Sequence, residues 1–177
     1  MPTIGGFSIV RAMRHIVLIA HNVRSCHNVG SLLRTAEGLG VATVYLTGYT
    51  PYPSASDDER LPYLTQKNDA QIHKSALGAE QMVTWKHNDL IEPVLDELRT
   101  AGFIIAALEQ QSDAVSLPSF QPAQNMVLIV GREVEGIETE ILAQCDTVIQ
   151  IPMLGRKESF NVSAAAAMAL YHLTFTA

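Results

Sequence analysis

Cysteine is scarce: Cys26 and Cys145 are the only two in 177 residues. Two cysteines cannot build a disulfide framework and these lack the spacing of metal ligands, so a reducing cytoplasm is the default setting. Long apolar runs are missing too. The longest, such as 16–20 and 126–130, are strand-sized and far short of the roughly 20 residues that a bilayer helix needs. The N-terminal stretch carries Arg11 and Arg14 behind a short apolar patch and lacks the cleavage site of a secretory leader. Basic residues are the third shortage. Twelve Lys+Arg face eighteen Asp+Glu, a formal net charge of −6. A protein that grips nucleic acid by charge alone is normally basic, although net charge conceals its own distribution.

What is present is a core. At 47% hydrophobic and 17% charged residues, the chain is too apolar for intrinsic disorder and long enough to fold as one domain, 1–177, without staples. Short apolar runs at 15–21, 41–48, 81–86, 103–109, 125–131 and 146–153 are mostly continuous, as in strands buried on both faces of a parallel sheet. Between them, helical periodicity predicts helices near 28–39, 67–78, 89–100, 138–144 and 161–174. This alternation reads as an α/β fold, a parallel sheet flanked by helices. The segments 49–62 and 112–124 read as loops. In the first helix Val29, Leu32, Leu33 and Ala36 make a buried stripe, which places Arg34 on the opposite side. The last helix, from Val162 through Leu173, has almost no polar face and is expected in the core or against a second subunit.

The usual nucleotide signatures are absent. No G-x-G-x-x-G follows a strand, and Gly131-x-x-x-x-Gly136 lacks the Lys-Ser/Thr of a phosphate loop. His21 and His27 flank a turn without a third ligand and are expected to be solvated rather than metal-bound. Three polar, glycine-punctuated segments remain: 21–34, 131–137 and 151–163. Each follows an apolar run, and in parallel α/β sheets ligands gather beyond the carboxyl ends of the strands. Gly131 and Gly155 would let backbone approach a ligand closely. Ser159 and Asn161 stand where an N-cap belongs.

Taken together, these segments resemble the three motifs of the SpoU (TrmH-like) RNA ribose 2′-O-methyltransferases of the SPOUT class. The first matches at Asn28, Gly30, Arg34, Thr35 and Ala36; the second at Gly131, Glu133 and Gly136. The third matches at Ile151, Pro152, Met153, Gly155, Glu158, Ser159, Asn161, Val162 and Ser163. Arg132 and Phe160 stand where asparagine and leucine are common in the family.

The resemblance implies a C-terminal deep trefoil knot, a homodimer and S-adenosylmethionine as cofactor, with no metal and no membrane. Unlike many relatives, the chain is expected to lack the extra N-terminal RNA-binding domain. By position it assigns cofactor contacts to Leu108, Gly131, Ile151, Met153, Ser159 and Phe160. It assigns the catalytic group to Arg34, working with Asn28, Ser159 and Asn161, while Glu133 is expected to orient Arg34 or Arg132. RNA, as tRNA or rRNA, would be held by Arg24, Arg34, Arg132, Arg156 and Lys157, with Arg11 and Arg14 adding to a locally basic mouth. Methylation of a base nitrogen, or a non-catalytic RNA-binding module, are the alternatives.

Overall fold

Seven strands form one sheet in the order β3-β2-β1-β6-β4-β7-β5, and every pairing is parallel. They are β1 (His15–His21), β2 (Thr43–Thr47), β3 (Trp85–Asn88), β4 (Ile104–Leu108), β5 (Val115–Ser116), β6 (Asn125–Val130) and β7 (Thr147–Gln150). The helices are α1 (Cys26–Gly38), α2 (Pro62–Ala76), α3 (Glu92–Thr100), α4 (Thr139–Leu142) and α5 (Val162–Phe175). The computed structural model describes residues 14–55 and 58–176; Arg11 lies outside them.

The continuous apolar runs are explained by two cores, one on each face of the sheet. Successive residues of β1 divide between them. Ile16, Leu18 and Ala20 pack under α1, α2 and α5, with Leu32, Leu33, Ile72, Ala166 and Leu170. Val17 and Ile19 pack under α3 and α4, with Val94, Leu95, Leu98 and Ile141. Gly30 allows the closest helix contact. A Cβ there would stand 2.3 Å from Ile72 O and Ser75 Oγ on α2, so side chains larger than glycine force α1 and α2 apart. Arg14 caps the far end of α5, its Nη1 donating to Leu173 O at 3.1 Å and Thr176 O at 2.7 Å. That is a helix C-terminus satisfied by a cation; the expected role of Arg14 at an RNA-binding mouth is corrected to this one.

Three sequence expectations change. Of the run 81–86, only Trp85 and Lys86 are strand. Ala79–Gln81 is a 3₁₀ turn, Met82 is exposed, and β3 starts only at Trp85, whose indole donates to Glu80 O at 3.1 Å. The loop 112–124 contains the edge strand β5 and a 3₁₀ turn, Leu117–Ser119. The last helix is not wholly covered: Ala166, Ala169, Leu170 and Leu173 are buried, but Met168, Tyr171 and Phe175 face outward. No helix among the described residues is long and apolar enough to cross a membrane.

Candidate functional site

The carboxyl ends of β4, β6 and β7 lie side by side, and the loops that leave them enclose an open cleft. Leu108, Gly131, Ile151, Ser159 and Phe160 line it. Met153, half-buried in the third loop, is not part of that lining. The loops are tied to one another by their own polar groups. Glu109 accepts the N–H of Ile137 at 2.9 Å, and the Gln110 amide donates to Ile151 O at 2.8 Å. Glycine is required at two places. A Cβ on Gly131 would meet Ile137 Cγ1 at 2.6 Å, and one on Gly136, at φ +71, would meet Glu109 Oε2 at 2.2 Å. Gly155, by contrast, stands in open space.

A chain of side-chain amides connects the three polar segments. Ser25 caps α1, its hydroxyl accepting from Asn28 N at 3.3 Å. Asn28, buried, donates from Nδ2 to Glu133 Oε1 at 2.9 Å and accepts on Oδ1 from Asn161 Nδ2 at 3.1 Å. Asn161 in turn caps α5, its Oδ1 accepting the N–H of Ser163 at 3.0 Å and the Ser163 hydroxyl at 2.7 Å. So the N-termini of α1 and α5 are locked together, and Asn161 rather than Ser159 is the cap. Ser159 is exposed and lies on the cleft.

Glu133 takes a different place from the one expected. Its Oε1 also accepts from Ser25 N at 3.2 Å, and its Oε2 from Arg24 N at 3.3 Å. Burial opposes its ionisation, but the Asn28 amide and these backbone donors outweigh it and hold the carboxyl below its ordinary value. Neither Arg34 nor Arg132 pairs with it. Arg132 instead reaches Gly136 O at 3.2 Å and Glu138 Oε1 at 3.4 Å. Glu133 thus holds a turn and an amide in place.

The expectation of a solvated His21 is also corrected. His21 is buried, its Nδ1 2.8 Å from Thr47 Oγ1 and its Nε2 3.0 Å from Asn22 Nδ2. Burial, opposed by the nearby Glu138 carboxylate, pulls the imidazole below its ordinary value. Among the described residues no group of three His, Cys, Asp or Glu is placed to hold a metal ion. Burial pushes the Cys145 thiol up to about 11 and raises Cys26 as well, so neither offers a thiolate.

The basic mouth is smaller than the sequence suggested. Arg24 pairs with Glu135 at 3.1 Å and Arg132 with Glu138. Arg34, Arg156 and Lys157 are exposed, and their side chains make no hydrogen bond or ion pair with a described residue. Arg34 stands on the outer side of α1, away from the buried stripe of Val29, Leu32, Leu33 and Ala36, and does not line the cleft.

The SpoU rRNA Methylase family model matches residues 15–171. A TrmH family tRNA/rRNA methyltransferase of Staphylococcus epidermidis is 30% identical over 163 residues, which cover 92% of this chain and 59% of the relative. The chain thus spans less than two thirds of that relative's length. A tRNA (guanosine(18)-2′-O)-methyltransferase of Aquifex aeolicus is 27% identical over 91% of this chain and 69% of its own. Among solved structures, the SpoU methyltransferase AviRb of Streptomyces viridochromogenes, crystallised with the cofactor AdoMet, aligns with a TM-score of 0.74. It is 24% identical, and the alignment covers 93% of this chain and 58% of that one, a likeness of fold.

Proposed function

This chain belongs to the SpoU rRNA methylase family, and from that premise we propose that it transfers a methyl group from S-adenosylmethionine to a ribose 2′-hydroxyl of tRNA or rRNA. The observation that carries the reading is the Glu133–Asn28–Asn161 chain, which ties the three motif segments together beyond the carboxyl ends of the strands. The family uses S-adenosylmethionine, and the cleft suits it. Adenine needs an apolar slot with a few backbone donors and acceptors; Leu108, Ile151 and Phe160 supply apolar surface beside the backbone of Gly131. When bound, the cofactor supplies an electrophilic methyl on a sulfonium.

The protein's own task is to hold the ribose and manage one proton. Arg34 stands outside its own chain's cleft, so in this reading it clamps a backbone phosphate and stabilises the developing alkoxide at the cleft of a paired copy. A guanidinium stays protonated at any working pH, so the hydroxyl proton passes to a substrate phosphate or to water. Ser159, exposed on the cleft, orients the nucleotide, and the amides of Asn28 and Asn161 hold the surrounding loops in register. Glu133 is a positioning residue for Asn28. The trefoil knot belongs to the same reading. Strand β4 lies between β6 and β7, so the chain crosses an earlier strand between the second and third motif segments.

Two copies are expected to pair through the outward face of α5, where Met168, Tyr171 and Phe175 leave apolar surface in water. A standard interface of about 1,600 Å² would survive micromolar dilution, and a monomer by sedimentation at that concentration would exclude it. The setting is cytoplasmic. Total tRNA and rRNA incubated with labelled cofactor, then digested to nucleosides, should yield 2′-O-methylnucleosides. Label on a base nitrogen would move the acceptor, and no label in either RNA would refute the reading.

A further inference from the structure

Tyr49 is a large aromatic held out into water, joined to the second polar segment through Arg24 and Glu135. It is 52% exposed, although a tyrosine ring left in solvent forgoes much of its burial energy. Its backbone, in contrast, is fixed. Strand β2 ends at Thr47, and Gly48 turns the chain at φ +67. A Cβ on Gly48 would stand 2.0 Å from Asn22 Oδ1, so the turn accepts glycine alone. Asn22, itself left-handed at φ 56, accepts Tyr49 N on that Oδ1 at 3.2 Å and donates to Glu138 Oε1 at 2.9 Å. The ring therefore projects from a rigid turn.

Arg24 links this ring to the amide chain. Its guanidinium carbon lies 5.9 Å from the centre of the Tyr49 ring, and its Nη2 is fixed by Glu135 Oε1 at 3.1 Å. Its backbone N–H donates to Glu133 Oε2 at 3.3 Å, on the same carboxylate whose other oxygen accepts from Asn28. The neighbouring Tyr52 shows what an occupied tyrosine looks like here. Its ring stacks on His87 at 3.7 Å and lies under the Arg60 guanidinium at 3.5 Å. Among the described residues Arg24 is the one cation or ring set against Tyr49, and half of its surface stays in solvent.

We propose that Tyr49, backed by Arg24, is a stacking shelf for an unpaired nucleobase of the RNA, next to the ribose being methylated. Single-stranded RNA is read by stacking splayed bases on aromatic rings and arginine planes. Such stacking tolerates any base because every base has a π-face. Because Arg24 is already paired with Glu135, its part is to orient the ring, and phosphate contact falls to other cations. The shelf deepens the RNA reading above and rests on RNA being the ligand.

The test is equilibrium binding of a single-stranded RNA carrying 2-aminopurine, whose fluorescence is quenched when it stacks. Wild type and Tyr49→Phe should quench it and bind alike. Tyr49→Ala and Tyr49→Leu should lose the quenching and bind about 5- to 100-fold more weakly, with unchanged cofactor affinity and thermal midpoint. No quenching by wild type overturns the shelf. So does undiminished binding by the alanine variant, or a loss in Tyr49→Phe equal to that in Tyr49→Ala, which would assign the effect to the hydroxyl. Wild type that binds and quenches but transfers no methyl group to any RNA would sink methyl transfer and leave the shelf standing.

Discussion

Two polar segments leave carboxyl ends of the same sheet and are built in opposite ways. The segment 52–60, between β2 and α2, is held by its own arginine. Arg60 donates to Tyr52 O and Pro53 O, each at 3.1 Å, and grips Asp58. Ser54 fastens the segment to α2 through Asp69, with contacts of 2.8 and 2.7 Å. The segment 152–160, between β7 and α5, has none of this. Pro152, Leu154 and every residue from Gly155 to Phe160 are exposed, and no hydrogen bond joins 152–160 to a described residue. One segment pairs its arginine internally with Asp58; the other leaves Arg156 and Lys157 without a partner among the described residues. Local stability follows buried contacts and protected hydrogen bonds, so the second segment is the one a ligand has most to order. Arg34 on α1, exposed and unpaired among described residues, belongs with it.

The largest effect that would break this comparison is catalytic. Arg34→Ala should cut methyl transfer by about 100-fold or more, the scale of losing one charge-stabilising donor. Its side chain touches no part of the core, so the thermal midpoint and cofactor affinity should stay at the wild-type values. Single-turnover transfer to RNA, read beside a melting curve, is the check. Near-wild-type transfer would place Arg34 with the solvated surface charges.

A smaller effect separates the two segments directly. With Arg24 and Arg132 paired and Arg14 capping α5, only Arg34, Arg156 and Lys157 of the described basic set are free to meet phosphates. RNA affinity should therefore depend on a low power of salt. Lys157→Ala should weaken all RNAs alike and lower the log–log salt slope by about 0.7–0.9. Arg60→Ala removes the same charge from the other segment and should leave that slope unchanged, since Asp58 already balances it, while lowering the thermal midpoint. Equal slopes for Lys157→Ala and wild type would put the phosphates elsewhere.

Much of this was legible in the sequence, for a physical reason. A sheet covered on both faces writes each strand as an unbroken apolar run, so β1, β2, β4, β6 and β7 can be read directly. The exception is instructive: 81–86 is apolar in composition, yet Met82 lies in water and pairing begins at Trp85. A two-residue edge strand such as β5 has too few residues to show any period. The site residues were legible as motifs, but their partners were not. Asn28 meets Glu133 across 105 positions and Asn161 across 133. The pairing of Arg24 and Arg132 with acids of one loop, and of His21 with Thr47 and Glu138, depends on the fold and leaves no local signal.

The smallest effect concerns acid, and it sharpens the comparison from the side of 52–60. Hydrogen bonds from the Arg60 guanidinium, only partly offset by burial, hold the Asp58 carboxyl well below the ordinary carboxylate range. A carboxyl depressed in the folded state binds its proton more readily when unfolded. Its contribution is therefore complete above the ordinary aspartate range and is lost as pH falls from there toward the depressed value. Acid should release 52–60 before the sheet unfolds. The single tryptophan reports on this segment, because the Trp85 ring lies 6.3 Å from that of Tyr52. A Trp85 emission change on acidification should thus precede the loss of secondary structure. In Asp58→Asn, which cannot ionise, that early change should vanish, leaving only the global transition. The segment 152–160 has no such internal ion pair to lose and should show no acid step of its own by hydrogen exchange. An early Trp85 change that persists in Asp58→Asn would assign the acid sensitivity to another group and would end the claim that the Arg60–Asp58 pair holds this segment closed.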